Sequence, residues 1–309
     1  MGTTGVVAAA RRALGPIGVF MPFSMTEPVP IQRQRAGARR LEELGYRALW
    51  NNEGVGGKDS LLQLSLLLAA TERMVVGSSI ANIWARPPQT MHAGAAMLAE
   101  AYPGRFVLGI GVGYPSQAES VGQPWGSPLA TLRDYLDRMH LPTQLPAPTT
   151  PYPRIVAANG PKMLALAGDV TDGALPTMVP AGFTAQARET LGPDKLLVVG
   201  LSVLSDGDQV RTRELARQFV SGRIERPGSP YAKSLIRAGF TETDLTELSD
   251  RLVDAVVAHG DPATIAARAG EHLAAGADHV VILPLVYDLT AFDQYERLAP
   301  ALTALTTPS

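Results

Sequence analysis

One turn of this sequence has residue types that bind anions. It comprises Gly160, Pro161 and Lys162, which follow an apolar run and open a segment of helical length. A glycine and a proline at a helix start leave backbone N–H groups free to face an anion, and the helix dipole favours negative charge there. Lys162 adds a full positive charge. The turn therefore predicts a phosphate cradle, and a solvent-exposed helix cap is the alternative.

A polar segment follows another apolar run and contains Asn51, Asn52 and Glu53. Three polar residues directly after an apolar strand are costly to bury without partners, so they belong either to a binding site or to a surface turn. The residues alone leave both interpretations open. At a site, Glu53 is a candidate for proton transfer and Asn52 for ligand binding.

A third segment has glycine at every second position, with Gly109, Gly111 and Gly113 followed by Tyr114 and Pro115. A dinucleotide-binding fingerprint has little support, because the third glycine is misplaced and a proline follows rather than a helix. Small residues at a strand end instead let a flat ligand approach the backbone, or allow tight packing. A tyrosine with an ordinary pKa of about 10 is a poor base at neutral pH, so Tyr114 suits the role of an acid or hydrogen-bond donor.

These segments end short β-rich runs that alternate with amphipathic helices along the chain. The predicted strands are 17–21, 46–50, 74–79, 106–110, 154–158, 173–176, 196–204 and 279–283. This strand number favours a single (β/α)8 TIM barrel, an α/β fold, over an open doubly wound sheet. Ligands of such a barrel bind at the carboxyl ends of the strands, where the three segments lie. Residues 223–258 do not fit the alternation and are expected to form an inserted helical segment.

The amino-acid composition of the chain limits the partners and sites that we expect. The chain has 309 residues, which suits one domain over 1–309, and its net charge of -2 gives no reason to expect nucleic acid or an anionic membrane as partner. It has no cysteine, and none of its histidines has metal-ligand spacing with another, so no metal is expected. No stretch approaches the ~18 apolar residues of a membrane span. We expect a soluble, cytoplasmic protein.

Several ordered motifs resemble the bacterial luciferase-like superfamily, and most closely its coenzyme F420-dependent oxidoreductase branch. They occupy 48–53, 77–86, 104–113 and 157–164. The resemblance implies a barrel with an inserted segment and a deazaflavin ring in the barrel mouth. It also implies a cis peptide between Ser79 and Ile80 under the ring. The cofactor-binding residues expected on this basis are Asn52, Ser79, Ile80, Gly111, Gly113, Asn159, Gly160, Pro161, Lys162 and Met163.

The sequence departs from one pattern of the superfamily. Sugar-phosphate dehydrogenases of this group carry a histidine after the acidic residue of strand two and a glutamate after the strand-four glycines. Gly54 and Tyr114 stand at those positions here. Because that acid/base pair is missing, Glu53 and Tyr114 are the catalytic candidates. Reduction of an activated C=C or C=N bond suits Tyr114 as proton donor, because hydride addition creates a charge that must be protonated.

The predicted function is an F420-dependent oxidoreductase that transfers a hydride between reduced deazaflavin and a small organic substrate. An FMN-dependent luciferase-like monooxygenase is the alternative among enzymes. A non-catalytic ligand-binding barrel is the alternative from another class. The direction of hydride transfer stays open.

Three further features allow two interpretations each. Arg86 is expected to pair with a carboxylate such as Glu100, or to line the site. The alanine-rich stretch 93–101 could pack against a second copy in a homodimer, or inside one barrel. The insertion could cover the mouth as a lid and attract an anionic tail, or present a solvated face. The basic residues concerned are Arg223, Arg226, Lys233 and Arg237.

Overall fold

The computed structural model describes residues 3–24, 26–206, 208–226, 229–286 and 290–306. Its strands are β1 (Ile17–Phe20), β2 (Ala48–Asn51), β3 (Val75–Ser78), β4 (Ala81–Asn82), β5 (Phe106–Gly111), β6 (Arg154–Ala157), β7 (Gly173–Leu175), β8 (Leu196–Ser205), β9 (Val257–Gly260) and β10 (His279–Pro284). All strands except β4 and β9 form a closed parallel barrel, because β10 pairs with both β1 and β8. The predicted barrel is confirmed.

Helices surround this barrel and cover its outer face. They are α1 (Thr3–Leu14), α2 (Ile31–Glu43), α3 (Ser60–Leu68), α4 (Pro88–Ala101), α5 (Pro115–Glu119), α6 (Pro128–Arg138), α7 (Pro161–Val170), α8 (Ala181–Leu191), α9 (Gln209–Ile224), α10 (Tyr231–Arg237), α11 (Glu242–Glu247), α12 (Asp250–Val256), α13 (Pro262–Ala274) and α14 (Ala291–Leu302). Their apolar faces join the outward-facing strand residues in the main core. No helix of the described chain is long and apolar enough to cross a membrane.

Some elements differ from the prediction. The helix α1 and the strands β4 and β9 were not predicted. A short helix, α5, does begin at Pro115, so the expectation that no helix follows the glycine segment was wrong. The segment 223–258 is helical over α10, α11 and α12, but it ends in β9, which pairs with the end of β8 from Ser202 to Ser205.

Inward-facing side chains fill the barrel, and α1 closes its amino-terminal end. The interior cluster includes Trp50, Val107 and Val281, and α1 packs Ala10 and Leu14 against it. Arg11 extends from α1 to the carbonyl oxygen of Lys195, 2.6 Å away, just before β8 begins. The barrel is therefore open at its carboxyl end and covered at the other.

A buried histidine, His279, lies in the interior of the barrel. Trp50 Nε1 donates to His279 Nε2 over 3.0 Å, and His279 Nδ1 lies 2.7 Å from the carbonyl oxygen of Gly15. A neutral imidazole with its proton on Nδ1 satisfies both contacts. Burial lowers the pKa of His279 to about 4. These contacts give His279 the structural role expected from its place at the start of a strand.

Candidate active site

An open cavity of about 730 Å³ lies at the carboxyl ends of the barrel strands. It is lined by Phe20, Phe23, Asn52, Ser79, Thr177, Met178, Ser202, Phe219, Arg223, Tyr231, Leu283, Pro284 and Leu285. Among these lining residues Arg223 is the one charged group. A mainly apolar cavity with a few polar groups and one cation suits a flat, anionic or neutral ligand.

A second cavity of about 530 Å³ lies outside the barrel, between α8, α12 and α13. Its lining includes Asp254, Arg268 and His272, and it contains none of the candidate residues predicted from the sequence. The cavity at the strand ends is therefore the candidate active site.

We call the part of the cavity at Ser79, just after β3, its floor, and the end of β5 packs against Ile80 beside it. The peptide between Ser79 and Ile80 is cis, as the resemblance implied. A Cβ atom at Gly111 would lie 2.7 Å from Ile80 Cδ1 and 3.3 Å from Ala157 Cβ, so glycine is required for Ile80 to cover this position. Gly113 has a φ of 60°, and a Cβ there would overlap Gln117 Oε1. In this geometry both glycines serve the packing of the protein itself.

Glu53 is buried, with 2% of its side chain exposed, in an ion pair with Arg86. Its carboxylate also accepts from the backbone N–H groups of Ser60 and Asn82, each over 2.9 Å. Arg86 binds Asp59 as well, at 2.7 Å. Because protein donors surround its carboxylate, this geometry gives Glu53 the role of joining β4 and α3 to the loop after β2.

Arg86 does pair with a carboxylate, as predicted, but the expected partner was wrong. Its guanidinium binds Glu53 and Asp59 rather than Glu100. Its side chain is 8% exposed, so the pair is withdrawn from solvent. Arg86 therefore supports the loops beside the cavity and does not belong to its lining.

Asn51 and Asn52 have different surroundings. Asn51 is buried and donates to Gln63 Oε1 over 2.7 Å, and Gln63 in turn donates to Gln34 over 2.7 Å. Ser60 Oγ donates to Asn51 Oδ1 over 3.1 Å. Asn52 instead lines the cavity. One polar segment thus supplies both a buried support and a group facing the site.

The turn after β6 lies close to positively charged side chains. Gly160 precedes α7, and its carbonyl oxygen accepts from the N–H groups of Met163 and Leu164. Pro161 and Lys162 are exposed, and Met163 is half-buried against the main core. Arg237 of α10 lies over the turn, because a Cβ atom at Gly160 would be 3.3 Å from its Nη2. Two cations therefore flank the start of α7.

Asn159 links this turn to the cavity. Its amide Nδ2 donates to the carbonyl oxygen of Thr177 over 2.6 Å, and the N–H of Thr177 donates back to Oδ1 over 3.2 Å. The carbonyl oxygen of Asn159 accepts from Ser234 Oγ over 2.8 Å. Asn159 thus holds α10 and the segment after β7 together and does not itself line the cavity.

Tyr114 does not itself line the cavity, but it interacts with a lining residue that the sequence did not indicate, Tyr231. The guanidinium of Arg226 lies 3.6 Å from the centre of the Tyr114 ring. Tyr114 interacts electrostatically with Tyr231, and Tyr231 lines the cavity. Burial, and to a lesser degree Tyr114, raises the pKa of Tyr231 well above its ordinary value.

Sequence reasoning missed some of the lining residues. Phe219 lies on a helix, α9, and Tyr231 lies on α10 in the insertion, whereas the site was sought at the strand ends. Phe20 and Ser202 lie within apolar runs of the sequence. Strand alternation could have identified them, because it places both side chains on the inner face of the barrel near a strand end. Apart from Arg223 of α9, the remaining residues lie at strand ends or just after them, as expected for a barrel.

Comparison with known proteins places the chain in a family of enzymes. The family described as luciferase-like monooxygenase matches residues 16–279. The 5,10-methylenetetrahydromethanopterin reductase of Methanolobus tindarius is 23% identical over 295 residues, which cover 82% of this chain and 90% of the reductase. The F420-dependent glucose-6-phosphate dehydrogenase of Beutenbergia cavernae is 25% identical over 298 residues, which cover 82% of this chain and 86% of the dehydrogenase.

Solved structures share the fold at lower identity. An F420-dependent secondary alcohol dehydrogenase, bound to an F420-acetone adduct, has a TM-score of 0.70 and 15% identity, with 93% of this chain and 99% of the dehydrogenase covered. The EDTA monooxygenase of Chelativorans sp. BNC1 has a TM-score of 0.72 and 12% identity, with 95% of each chain covered. Because the family match spans most of the barrel, the chain belongs to the luciferase-like monooxygenase family.

Proposed function

We propose that this protein is an F420-dependent oxidoreductase that transfers a hydride between reduced deazaflavin and a small organic substrate. The observation that carries the proposal is a mainly apolar cavity without acidic lining residues, joined through Thr177 and Asn159 to a turn flanked by Lys162 and Arg237. Such a site suits a ring with an anionic tail. The names of two similar proteins, the Beutenbergia dehydrogenase and the secondary alcohol dehydrogenase, support F420 over FMN.

The residues present fit this cofactor. Asn52, Ser79 and Ile80 would hold the ring at the floor, and the turn at Gly160 with Lys162 would hold the phosphate-bearing tail. Contacts of the cofactor with Gly111, Gly113, Asn159, Pro161 and Met163 stay predictions. When bound, the deazaflavin supplies or accepts the hydride. The apolar wall would exclude water from the reacting atoms.

The substrate we propose has an activated C=C or C=N bond. Hydride addition to such a bond leaves a negative charge, and the protein must then supply a proton. The cavity offers a phenol rather than a carboxylic acid for this purpose, because Tyr231 lines it while Glu53 is bound to Arg86. The chemistry therefore differs from that of relatives with a histidine and glutamate pair.

Cofactor binding tests the proposal directly. Purified protein should bind F420 at least tenfold more tightly than FMN, as measured by quenching of cofactor fluorescence. Under anaerobic conditions, reduced F420 should then be oxidised when an acceptor with a conjugated C=C or a C=N bond is added. Binding of FMN alone would contradict the cofactor assignment, and binding of neither would favour a non-catalytic barrel.

A flavin monooxygenase is the second candidate, because the EDTA monooxygenase shares the fold at a TM-score of 0.72. Oxygen consumption separates the two candidates. A deazaflavin lacks the nitrogen that flavins use in oxygen chemistry, so the proposed enzyme should consume no oxygen with reduced F420. Rapid, substrate-dependent oxygen uptake with reduced FMN would favour the monooxygenase.

A further inference from the structure

The cavity at the strand ends has its positive charge on one wall. Arg223 is the one charged group among the described lining residues, and it lies in the last turn of α9, one turn after Phe219, which also lines the cavity. Residues four apart in a helix share a face, so this face of α9 points to the cavity. The described lining therefore carries one positive charge and no negative charge.

Two aromatic residues of the same wall lie beside the charge of Arg223. The Cζ atom of its guanidinium lies 5.0 Å from the centre of the Phe219 ring. Arg223 also interacts electrostatically with Tyr231 of α10, another lining residue. Arg223 as a whole is half-buried. Its charge is therefore held along the aromatic part of the wall and does not extend away from the protein into solvent.

This charge is separate from the turn proposed to hold the cofactor tail. That turn lies under Arg237, the last residue of α10, whereas Tyr231 is the first residue of the same helix. The helix has seven residues, which gives a rise of about 9 Å from its first residue to its last. Arg223 and Arg237 thus place positive charge at the two ends of α10. A tail bound at the turn calls for a different anionic group at Arg223.

The chemistry of a single guanidinium suits a carboxylate. It has five N–H donors in a planar fork, so it can bind a carboxylate through two parallel hydrogen bonds while it also contacts protein groups. One cation balances the single negative charge of a carboxylate, whereas a phosphate group carries about -1.5 to -2 at neutral pH. The wall with Arg223 therefore favours a carboxylate over a phosphate.

The rest of the lining is mostly apolar. Phe20 and Phe23 meet edge to face with their ring centres 5.9 Å apart, and both line the cavity. Leu283 and Leu285 add to this surface. Such a surface binds the hydrocarbon part of a ligand, because apolar groups gain free energy when they leave water. A molecule that fits both features has an apolar body and one carboxylate.

Resting on the proposed function, we propose that the substrate is a monocarboxylate with an apolar body and that Arg223 binds its carboxylate. The activated C=C or C=N bond of the substrate then lies in the apolar part of the cavity. Arg223 determines specificity in this arrangement, because it selects the charged substrate and fixes its orientation. It takes no part in the transfer of the hydride or the proton.

Two pairs of probes test the proposal with reduced F420. In each pair a carboxylate replaces a methyl group: 1-pyrroline-2-carboxylate with 2-methyl-1-pyrroline, and 3-oxo-1-cyclohexene-1-carboxylate with 3-methyl-2-cyclohexen-1-one. The measured quantity is the ratio of kcat/KM for the carboxylate to kcat/KM for the methyl probe. Arg223→Met should lower this ratio about 10- to 100-fold, because a hydrogen-bonded charge pair is lost. The kcat/KM for the methyl probes should stay within about threefold.

Two further variants sharpen this measurement. Arg223→Lys keeps the charge but loses the fork, so its ratio should lie between those of Arg223→Met and the unmodified protein. Arg226→Met is the matched control, because Arg226 lies over the Tyr114 ring and outside the described lining. Its ratio should equal that of the unmodified protein. A ratio lowered equally in Arg226→Met and Arg223→Met would overturn the specific role of Arg223.

Binding without turnover gives a second measurement. In calorimetric titrations of protein loaded with oxidised F420, cyclohexanecarboxylate should bind about tenfold or more tightly than the uncharged cyclohexanecarboxamide. In Arg223→Met the two ligands should bind equally. The Kd for F420 should stay within about threefold in this variant, because the tail is held at the other end of α10. A parallel loss of F420 affinity would overturn the proposal, since Arg223 would then belong to the cofactor site.

The outcomes separate this proposal from the function on which it rests. An unchanged ratio in Arg223→Met overturns the role of Arg223, while oxidation of reduced F420 by the probes still supports the proposed function. Reduction of the methyl probes alone overturns the carboxylate substrate in the same way. Failure of the unmodified protein to bind F420, or to reduce any of the four probes, overturns the proposed function and the substrate class together.

Discussion

The two sides of the barrel mouth are built in different ways. We call the loops around Glu53, Arg86 and Asn51 the network side, because buried ion pairs and amide hydrogen bonds hold them. We call α9 and α10 the helical side, and there an apolar cluster that includes Val220 and Leu235 does most of the packing. Buried polar networks fix geometry closely, whereas apolar packing tolerates substitution. This division suits a floor of fixed shape and a wall that changes with the substrate.

The largest expected effect is on the network side. Arg86→Met leaves the Glu53 carboxylate buried without its cation, which should lower the free energy of unfolding by about 3–5 kcal/mol in urea titrations. Arg40→Met is the matched control, because Arg40 and Glu296 form a pair with 50% and 44% of their side chains exposed. The control should show almost no loss, because an exposed ion pair contributes little to stability. Equal losses in both variants would remove the distinction between the two sides.

Glu53→Gln sharpens the same test. If Glu53 supports the loops, this variant should lose stability, because the glutamine cannot pair with the buried Arg86 cation. If Glu53 instead transfers a proton, turnover should disappear while the free energy of unfolding stays unchanged. The two results can be read from one urea titration and one rate measurement.

Lowering the pH should decrease the stability of the barrel, on which both sides of the mouth are built. Burial lowers the pKa values of His279 and His272 to about 4 each, so these groups stay neutral in the folded protein while the unfolded chain takes up protons below about pH 6.5. Stability is therefore complete above that pH and is lost as the pH falls towards about 4. Each histidine should cost about 2 kcal/mol between pH 6.5 and 5. Urea midpoints that do not change over this range would contradict the neutral, buried state.

A smaller effect is expected at the turn before α7, next to α10 of the helical side. Lys162→Ala and Arg237→Ala should each weaken F420 binding about five- to tenfold, or about 1.0–1.4 kcal/mol, through loss of one cation. A deazaflavin without phosphate should bind both variants normally. Arg133→Ala removes a cation near Asp169, at the opposite end of α7, and should leave the Kd unchanged. Equal weakening for both ligands would place the ring, rather than the tail, at this turn.

The smallest effect concerns the hydrogen bond between α10 and the turn after β6. Ser234→Ala removes the donor to Asn159, worth about 1 kcal/mol, and should speed amide hydrogen exchange in α10 about fivefold. Exchange in the loop after β2 should not change. Ser65→Ala is the control, because Ser65 donates to the Leu62 carbonyl within α3. Faster exchange in both regions would show that the two sides are not independent.

The barrel was predictable because strand and helix periodicity are local properties of the sequence. The partner of Arg86 was not, since Glu53 lies 33 residues away and only the folded chain brings the two together. Tyr231 was missed for a similar reason, because it lies in a segment without strand register. The cis peptide at Ser79 was predicted from the family resemblance and is confirmed, although trans is the default for such residues. The roles of the site residues stay predictions.

The covering of the barrel base by α1 has a kinetic consequence. With Leu14 and Ala10 packed into the interior at that end, molecules reach the described cavity through its opening at the strand ends. Two ligands that share one opening cannot exchange independently. The one that lies deeper enters first and leaves last, so turnover should follow a compulsory order of binding and release.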